Sequence, residues 1–226
     1  MRLLNAQEVL RKSSLLDRLP ANAAARLRDA AQVREYRRRE VIYREGDLIS
    51  GPAWVHWGLI RAYQASVNGR EFTVLVAWPG EVSTPSLSGR PDWPTTTVAI
   101  TPVVRATVPQ AVLEEVCQRD PRVSIALVRI LAAEAHERYR WCAWLMSVPL
   151  RERLPRILGR MAYELGTPAD RGMLLDFPVV QDDLATIARV TRDEIGRTMR
   201  EMLNEGIIER LPGRRLLIPD PSRLDV

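Results

Sequence analysis

Between Pro121 and Pro149 the chain contains neither a glycine nor a proline, and its apolar residues recur at helical spacing. The run reads as one long helix. A proline directly after Asp120 suits its first turn, where the missing N–H has no intrahelical partner to lose. Val123, Leu127, Ile130, Leu131, Trp141, Trp144 and Leu145 form an apolar stripe along it. A helix this long, joining a β region to a helical one, cannot bury that stripe against one small partner. A two-fold helix–helix dimer seam is the expected solution. Packing wholly on the chain's own sheet is the alternative.

The texture on either side of this helix differs. Residues 7–32 have helical spacing, with Leu10, Leu15, Leu16, Leu19 and Leu27 as buried positions. From Val33 the chain turns to short β-like runs: Val41–Tyr43, Trp54–Val55, Leu59–Tyr63, Phe72–Val76, Val98–Ile100 and Val103–Val108. Glu45–Gly46–Asp47, Asn68–Gly69 and Pro79–Gly80 break them, and Asn68–Gly69 is a hairpin signal. Many short strands at this spacing predict a sandwich or jelly roll. The Pro-, Ser- and Thr-rich stretch Ser83–Thr97 is expected to form a long loop over the sheet. After the long helix, Leu150–Leu165 reads as a second helix with Pro155 in its first turn, and the hydrophilic Gly166–Gly172 follows. Near the C-terminus, Ile207–Ile208, a turn at Leu211–Arg215 and Leu216–Ile218 read as a two-stranded wing. The fold class is therefore α+β, with a β-roll over 1–119, a dimerisation helix over 120–147 and a winged helix-turn-helix over 148–226.

Val180–Ala185 and Val190–Arg197 read as two short helices joined by a tight turn. Thr191 is an N-cap candidate, and Glu194 three residues later completes a capping box. Ile195, Met199, Met202 and Leu203 give the second helix one buried face, with Arg192, Asp193 and Arg197 near its start and largely off that face. A recognition helix needs this layout, because its first turns meet base edges while its apolar side holds it to the domain. The plain alternative is the solvated face of an ordinary helix hairpin.

Charge adds little to this reading. The net charge of +5 resides entirely in residues 1–150, whereas residues 151–226 balance thirteen arginines against thirteen carboxylates. Cys117 and Cys142 make no metal-ligand spacing and fit a reducing cytoplasm. No apolar run approaches a membrane span. Arg2, Glu8, Arg11 and Lys12 leave no secretory leader in view. A cupin-like metalloenzyme would need clustered histidines and carboxylates, and the two histidines, His56 and His136, lie far apart in sequence. Neither an enzyme nor a metal site is expected.

In this order the motifs resemble the superfamily of the cAMP receptor protein and the fumarate–nitrate regulator. Val41–Asp47, Gly58–Tyr63, Asn68–Glu71 and Pro79–Val82 resemble its roll, and Thr191–Arg197 resembles its Ser-Arg-Glu-x-x-x-Arg recognition helix. Asn204–Ile208 resembles the approach to its wing. The resemblance runs from about Leu15 to Ile218. It implies a cyclic-nucleotide-binding-like roll and a cytoplasmic homodimer on double-stranded DNA with a two-fold symmetric site. RNA polymerase is a further partner if the protein activates. Arg192 and Arg197 would meet guanine edges, and Asp193, one methylene shorter than the family's usual Glu, would accept from cytosine. Gln181, Asp182, Thr191 and the wing's Arg214 complete the expected DNA-binding set, while Arg200 and Arg210 read as solvated surface. Val180 stands where many members have a phosphate-binding Thr.

The same resemblance bears on the effector. The family's nucleotide-binding Gly-Glu falls near Thr84–Pro85 here, and its Arg-Ser near Trp93–Pro94, so a cyclic nucleotide is not expected. An iron–sulfur cluster is not expected either, since no cysteine precedes Cys117. Haem held by His56, His136 or Cys142 is an alternative, as is a ligand-binding module with weak or lost DNA binding. No cofactor is evident and the effector stays unidentified. Trp78, Arg90, Arg138 and Tyr139 are the candidate effector-pocket residues, with Trp54, Trp93 and Trp141 as further aromatic lining. An effector would act through the long helix and a hinge around Ser147–Leu150.

Overall fold

The computed structural model describes residues 16–69, 71–83 and 89–224, so Leu10, Leu15, Thr84 and Pro85 lie outside the described residues. Backbone contacts divide the chain into two compact units, Met1–Glu137 and Arg138–Val226, with the division inside the long helix.

The first unit is a β-roll. A 3-10 turn at Leu16–Arg18 leads to α1 (Ala21–Ala30), with Pro20 between the two. Among the described residues eight strands follow: β1 (Gln32–Tyr36), β2 (Val41–Tyr43), β3 (Ala53–Trp57), β4 (Ile60–Ala65), β5 (Glu71–Ala77), β6 (Val82–Ser83), β7 (Thr96–Ala99) and β8 (Val103–Thr107). They form two four-stranded sheets, ordered β1-β8-β3-β6 and β2-β7-β4-β5. The β4–β5 hairpin closes at the Asn-Gly signal, where Gly69 has φ +74 and its N–H bonds the Ser66 carbonyl. Gly58 is also required: at φ +91 its backbone passes so close to the Pro102 carbonyl that a Cβ would collide with it. The loop expected to end at Thr97 ends earlier, because Thr96 and Thr97 pair in β7 with β2 and β4.

Alternation along β8 divides the core in two. Val104 and Ala106 join Trp54, Leu16, Leu27 and Leu113 in a cluster shared with the helices. Val103 joins Tyr36, Val55, Ile60, Ala77 and Ala99 in the roll's interior. After α2 (Gln110–Arg119), the long helix α3 (Pro121–Ser147) begins by inserting Val123, Leu127 and Ile130 into the first cluster. This corrects the expected stripe, because its first part is filled by the chain's own unit and is unavailable to a partner. The exposed apolar residues of α3 are others, with Ile125 at 55%, Val128 at 66%, Tyr139 at 76% and Met146 at 84% exposure.

The second unit continues with α4 (Leu150–Leu165), which starts after Pro149 and carries Pro155 in its second turn, later than expected. There the proline removes an N–H that would reach the carbonyl of Arg151. Short strands β9 (Thr167–Pro168) and β10 (Met173–Leu175) precede α5 (Gln181–Ala188) and α6 (Arg192–Asn204). Strands β11 (Glu209–Leu211) and β12 (Arg215–Ile218) complete a four-stranded sheet ordered β11-β12-β10-β9. The wing is thus a hairpin, but Ile207–Ile208 precedes its first strand; Ile208 is buried, and bonds from both amides to the Met202 carbonyl hold the pair in a turn.

Candidate DNA interface

The helix pair is built from local signals. Helix α5 ends at Arg189, whose left-handed backbone (φ 55) reverses the chain within three residues. Thr191 then caps α6: its hydroxyl accepts from the Glu194 N–H at 3.3 Å, and its own N–H donates to Glu194 Oε2 at 2.8 Å. The hydroxyl also donates to the same carboxylate at 2.6 Å. These bonds from the Thr191 hydroxyl and backbone hold the Glu194 carboxyl below the usual glutamate range. Ile195, Thr198, Met199 and Met202 form the buried face of α6, while Leu203 is only half-buried.

The opposite face of α6 presents Arg192, Asp193, Arg197 and Arg200 to solvent. A groove here is lined by Gln181, Arg192, Asp193, Gly196, Arg197, Arg200 and Arg210. Four expected residues are therefore brought together, and two arginines read as plain surface join them. Arg200 is steered by a bond from its Nε to the Gly196 carbonyl at 3.1 Å, and Arg210 arrives from the wing strand β11. Gly196 makes room for the Gln181 side chain, which would lie 3.4 Å from an added Cβ. Asp182 sits 3.8 Å from the Arg192 guanidinium, with both side chains well exposed. Arg214 is exposed on the wing turn, outside the groove lining, and its carbonyl accepts from the Val179 N–H. Val180 is buried at the start of α5, so its side chain packs in the core.

Behind the groove, Arg153 of α4 is 8% exposed. Its Nη1 donates to the carbonyls of Leu145, in the last turns of α3, and of Ala188, the last residue of α5, the latter at 2.9 Å. Burial pushes the guanidinium pKa down, and the Glu194 charge partly offsets this.

A capped helix with a cationic groove, followed in the chain by a β-wing and preceded by a β-roll, matches known domains in both parts. Residues 152–225 match the Crp-like helix-turn-helix domain, and residues 33–120 match the cyclic nucleotide-binding domain. The chain belongs to the Crp–Fnr superfamily. It is a transcription regulator whose helix-turn-helix binds DNA. The transcriptional activator protein FnrL of Cereibacter sphaeroides is 22% identical, over 95% of this chain and 88% of that protein. FixK2 of Bradyrhizobium japonicum has the same fold, with TM-score 0.69 and 22% identity over 86% of this chain and 96% of that one. The c-di-GMP-responsive regulator CLP of Xanthomonas campestris gives TM-score 0.64 and 18% identity over 89% and 100%.

Trp78 is fully buried at the end of β5, whereas Arg90 is exposed, 3.9 Å from Asp92. Arg138 and Tyr139 belong to the second unit, the former half-buried and the latter exposed. Trp54 and Trp93 are buried in the roll, and Trp93 stacks on Tyr43 with ring centroids 3.6 Å apart. Trp141 is half-buried under the Arg160 guanidinium. His136 is exposed on α3. Among the described residues no cluster of His, Cys, Asp and Glu could hold a metal ion, and no helix is long and apolar enough to cross a membrane.

Proposed function

We propose that the protein acts as a cytoplasmic homodimer that reads a two-fold symmetric DNA site and answers to an effector other than a cyclic nucleotide. The observation that carries the reading is the groove on α6, where Arg192, Arg197, Arg200 and Arg210 surround Asp193 on the helix's solvent side. Guanidinium groups pair with guanine O6 and N7 or with phosphate, and a carboxylate accepts from cytosine N4. Arg192, Arg197 and Asp193 are the base readers; Gln181, Asp182 and Thr191 at the helix starts, with Arg200, Arg210 and Arg214, position the protein on the backbone.

A seam is supported by spacing. Ile125, Val128, Ala132, Ala135, Tyr139, Cys142 and Met146 follow one another at alternating intervals of three and four along α3, and all but the half-buried Cys142 are exposed. That is the repeat of a two-stranded coiled coil. A dimer so joined would set two recognition helices in successive major grooves, roughly 34 Å apart. Trp93 supports the effector reading, since a buried stacked indole stands where the superfamily's phosphate-binding arginine is expected. RNA polymerase is a further partner if the regulator activates, as the transcriptional activator FnrL does.

Selection of bound fragments from genomic DNA, with and without a metabolite extract, tests the reading. An inverted repeat protected by wild type and lost in the Arg192→Ala, Arg197→Ala double variant is expected. Unchanged footprints in that variant would refute the placement of the recognition helix.

A further inference from the structure

Gln181 is the first residue of α5, a position expected to meet the DNA backbone. Its side chain takes another course. A Cβ built on Gly196, in the second turn of α6, would meet the Gln181 Nε2, Oε1 and Cδ at 3.4, 3.6 and 3.7 Å. The amide head therefore reaches the place where residue 196 would otherwise carry a side chain. Arg192, Asp193, Gly196, Arg197 and Arg200 lie three or four apart on one face of α6, the face that lines the groove. Gln181 thus supplies a functional group to the helix face that meets the bases, at the one of these five positions without a side chain. It is half-buried, and among the described residues its amide has no hydrogen-bond partner. The arginines around it are engaged, Arg192 beside Asp182 at 3.8 Å and Arg200 with the Gly196 carbonyl.

Phosphate oxygens only accept, and the groove's four arginines already supply donors for them. An amide offers a donor and an acceptor side by side. Adenine presents the complementary pair in the major groove, N7 to accept and N6 to donate. Guanine presents two acceptors there, which leaves the amide oxygen facing O6. We propose that Gln181 is a base reader, selecting adenine at one position of each half-site from the second turn of α6. The proposal rests on the DNA-binding reading and moves Gln181 from the residues that position the protein to those that set its specificity.

The test selects an operator from randomised duplexes with the full chain, then measures competition by single-base changes. Wild type should recover an adenine in each half-site whose replacement by guanine or by 7-deazaadenine weakens binding about fivefold to tenfold. Gln181→Ala should lose that preference and keep the other preferences and the salt dependence of wild type. Gln181→Glu retains an acceptor and loses the donor, and should recover cytosine at the same position. The assignment is overturned if Gln181→Ala keeps the wild-type preference at every adenine. It is equally overturned if that variant weakens all sequences alike with a shallower salt dependence, the mark of a lost phosphate contact. The Arg192→Ala, Arg197→Ala double variant separates this failure from failure of the DNA-binding reading. If that variant still protects the operator, or if no operator is recovered, the recognition helix itself is misplaced and the role of Gln181 falls with it.

Discussion

Replacing Arg153 by methionine isolates one connection in the second unit. In the wild type a single guanidinium nitrogen serves the carbonyls of Leu145 and Ala188, residues only 5% and 0% exposed. Methionine fills much of the same volume but donates to neither, so two buried carbonyls lose this partner at about 1–3 kcal/mol each. Against this, the substitution removes a cation that burial disfavours, and with it a buried Nε that has no partner. A net destabilisation of about 2–4 kcal/mol follows. For a unit of this size that lowers the melting midpoint by about 10–20 °C. Trp141 and Trp144 lie in the same unit, so their fluorescence reports its melting in urea or on heating. Arg153→Lys, able to reach one carbonyl, should fall between the two. A methionine variant within about 0.5 kcal/mol of wild type would refute the argument that these two bonds hold the unit together.

Other perturbations follow from the same geometry. Thr191→Ala removes the cap of α6 and should cost about 1 kcal/mol in urea melts, with loss of DNA affinity beyond what Asp193→Ala causes. Because the Glu194 carboxyl is lowered in the folded state, its contribution is complete above the unfolded value, about 4.3, and is lost as pH falls through the lower folded value. Melting between pH 6 and 3 should show that acid loss in wild type and a smaller slope in Glu194→Gln; equal slopes would exclude the cap as its source. Arg200→Ala and Arg210→Ala should each weaken binding to all sequences and reduce the salt dependence by about one phosphate contact, leaving operator preference intact in competition assays. Val128→Asp, at an exposed position on α3, should yield monomers in sedimentation with the circular dichroism of each unit unchanged.

The parts legible in the sequence were those written in local chemistry. Asn68–Gly69 marks a hairpin because only a few residue pairs accept its backbone, and Thr191 with Glu194 marks a helix start because both groups of the cap lie within four residues. Partners distant in the chain were not legible. The α3 stripe is divided between the chain's own core and solvent, and only the packing of Leu16, Leu27 and Leu113 reveals that Val123, Leu127 and Ile130 are taken. Strand β1 mixes polar and apolar residues, and its state depends on pairing with β8 some seventy residues away. Arg210 joins the groove because β11 folds back beside α6, which no spacing announces. Strict alternation from Val103 puts the charge of Arg105 on an inward position of β8.

The turn between α5 and α6 has a mechanical consequence. A non-glycine residue in the left-handed region at Arg189 and a closed cap at Thr191 leave the two helices almost no freedom to splay. With the Arg153 bond to Ala188, the pair behaves as a casting and not as a joint. On the dimeric reading proposed above, DNA affinity would be set not by loosening the reading helix but by the separation of two rigid heads, as calipers are set, each head keeping its own shape.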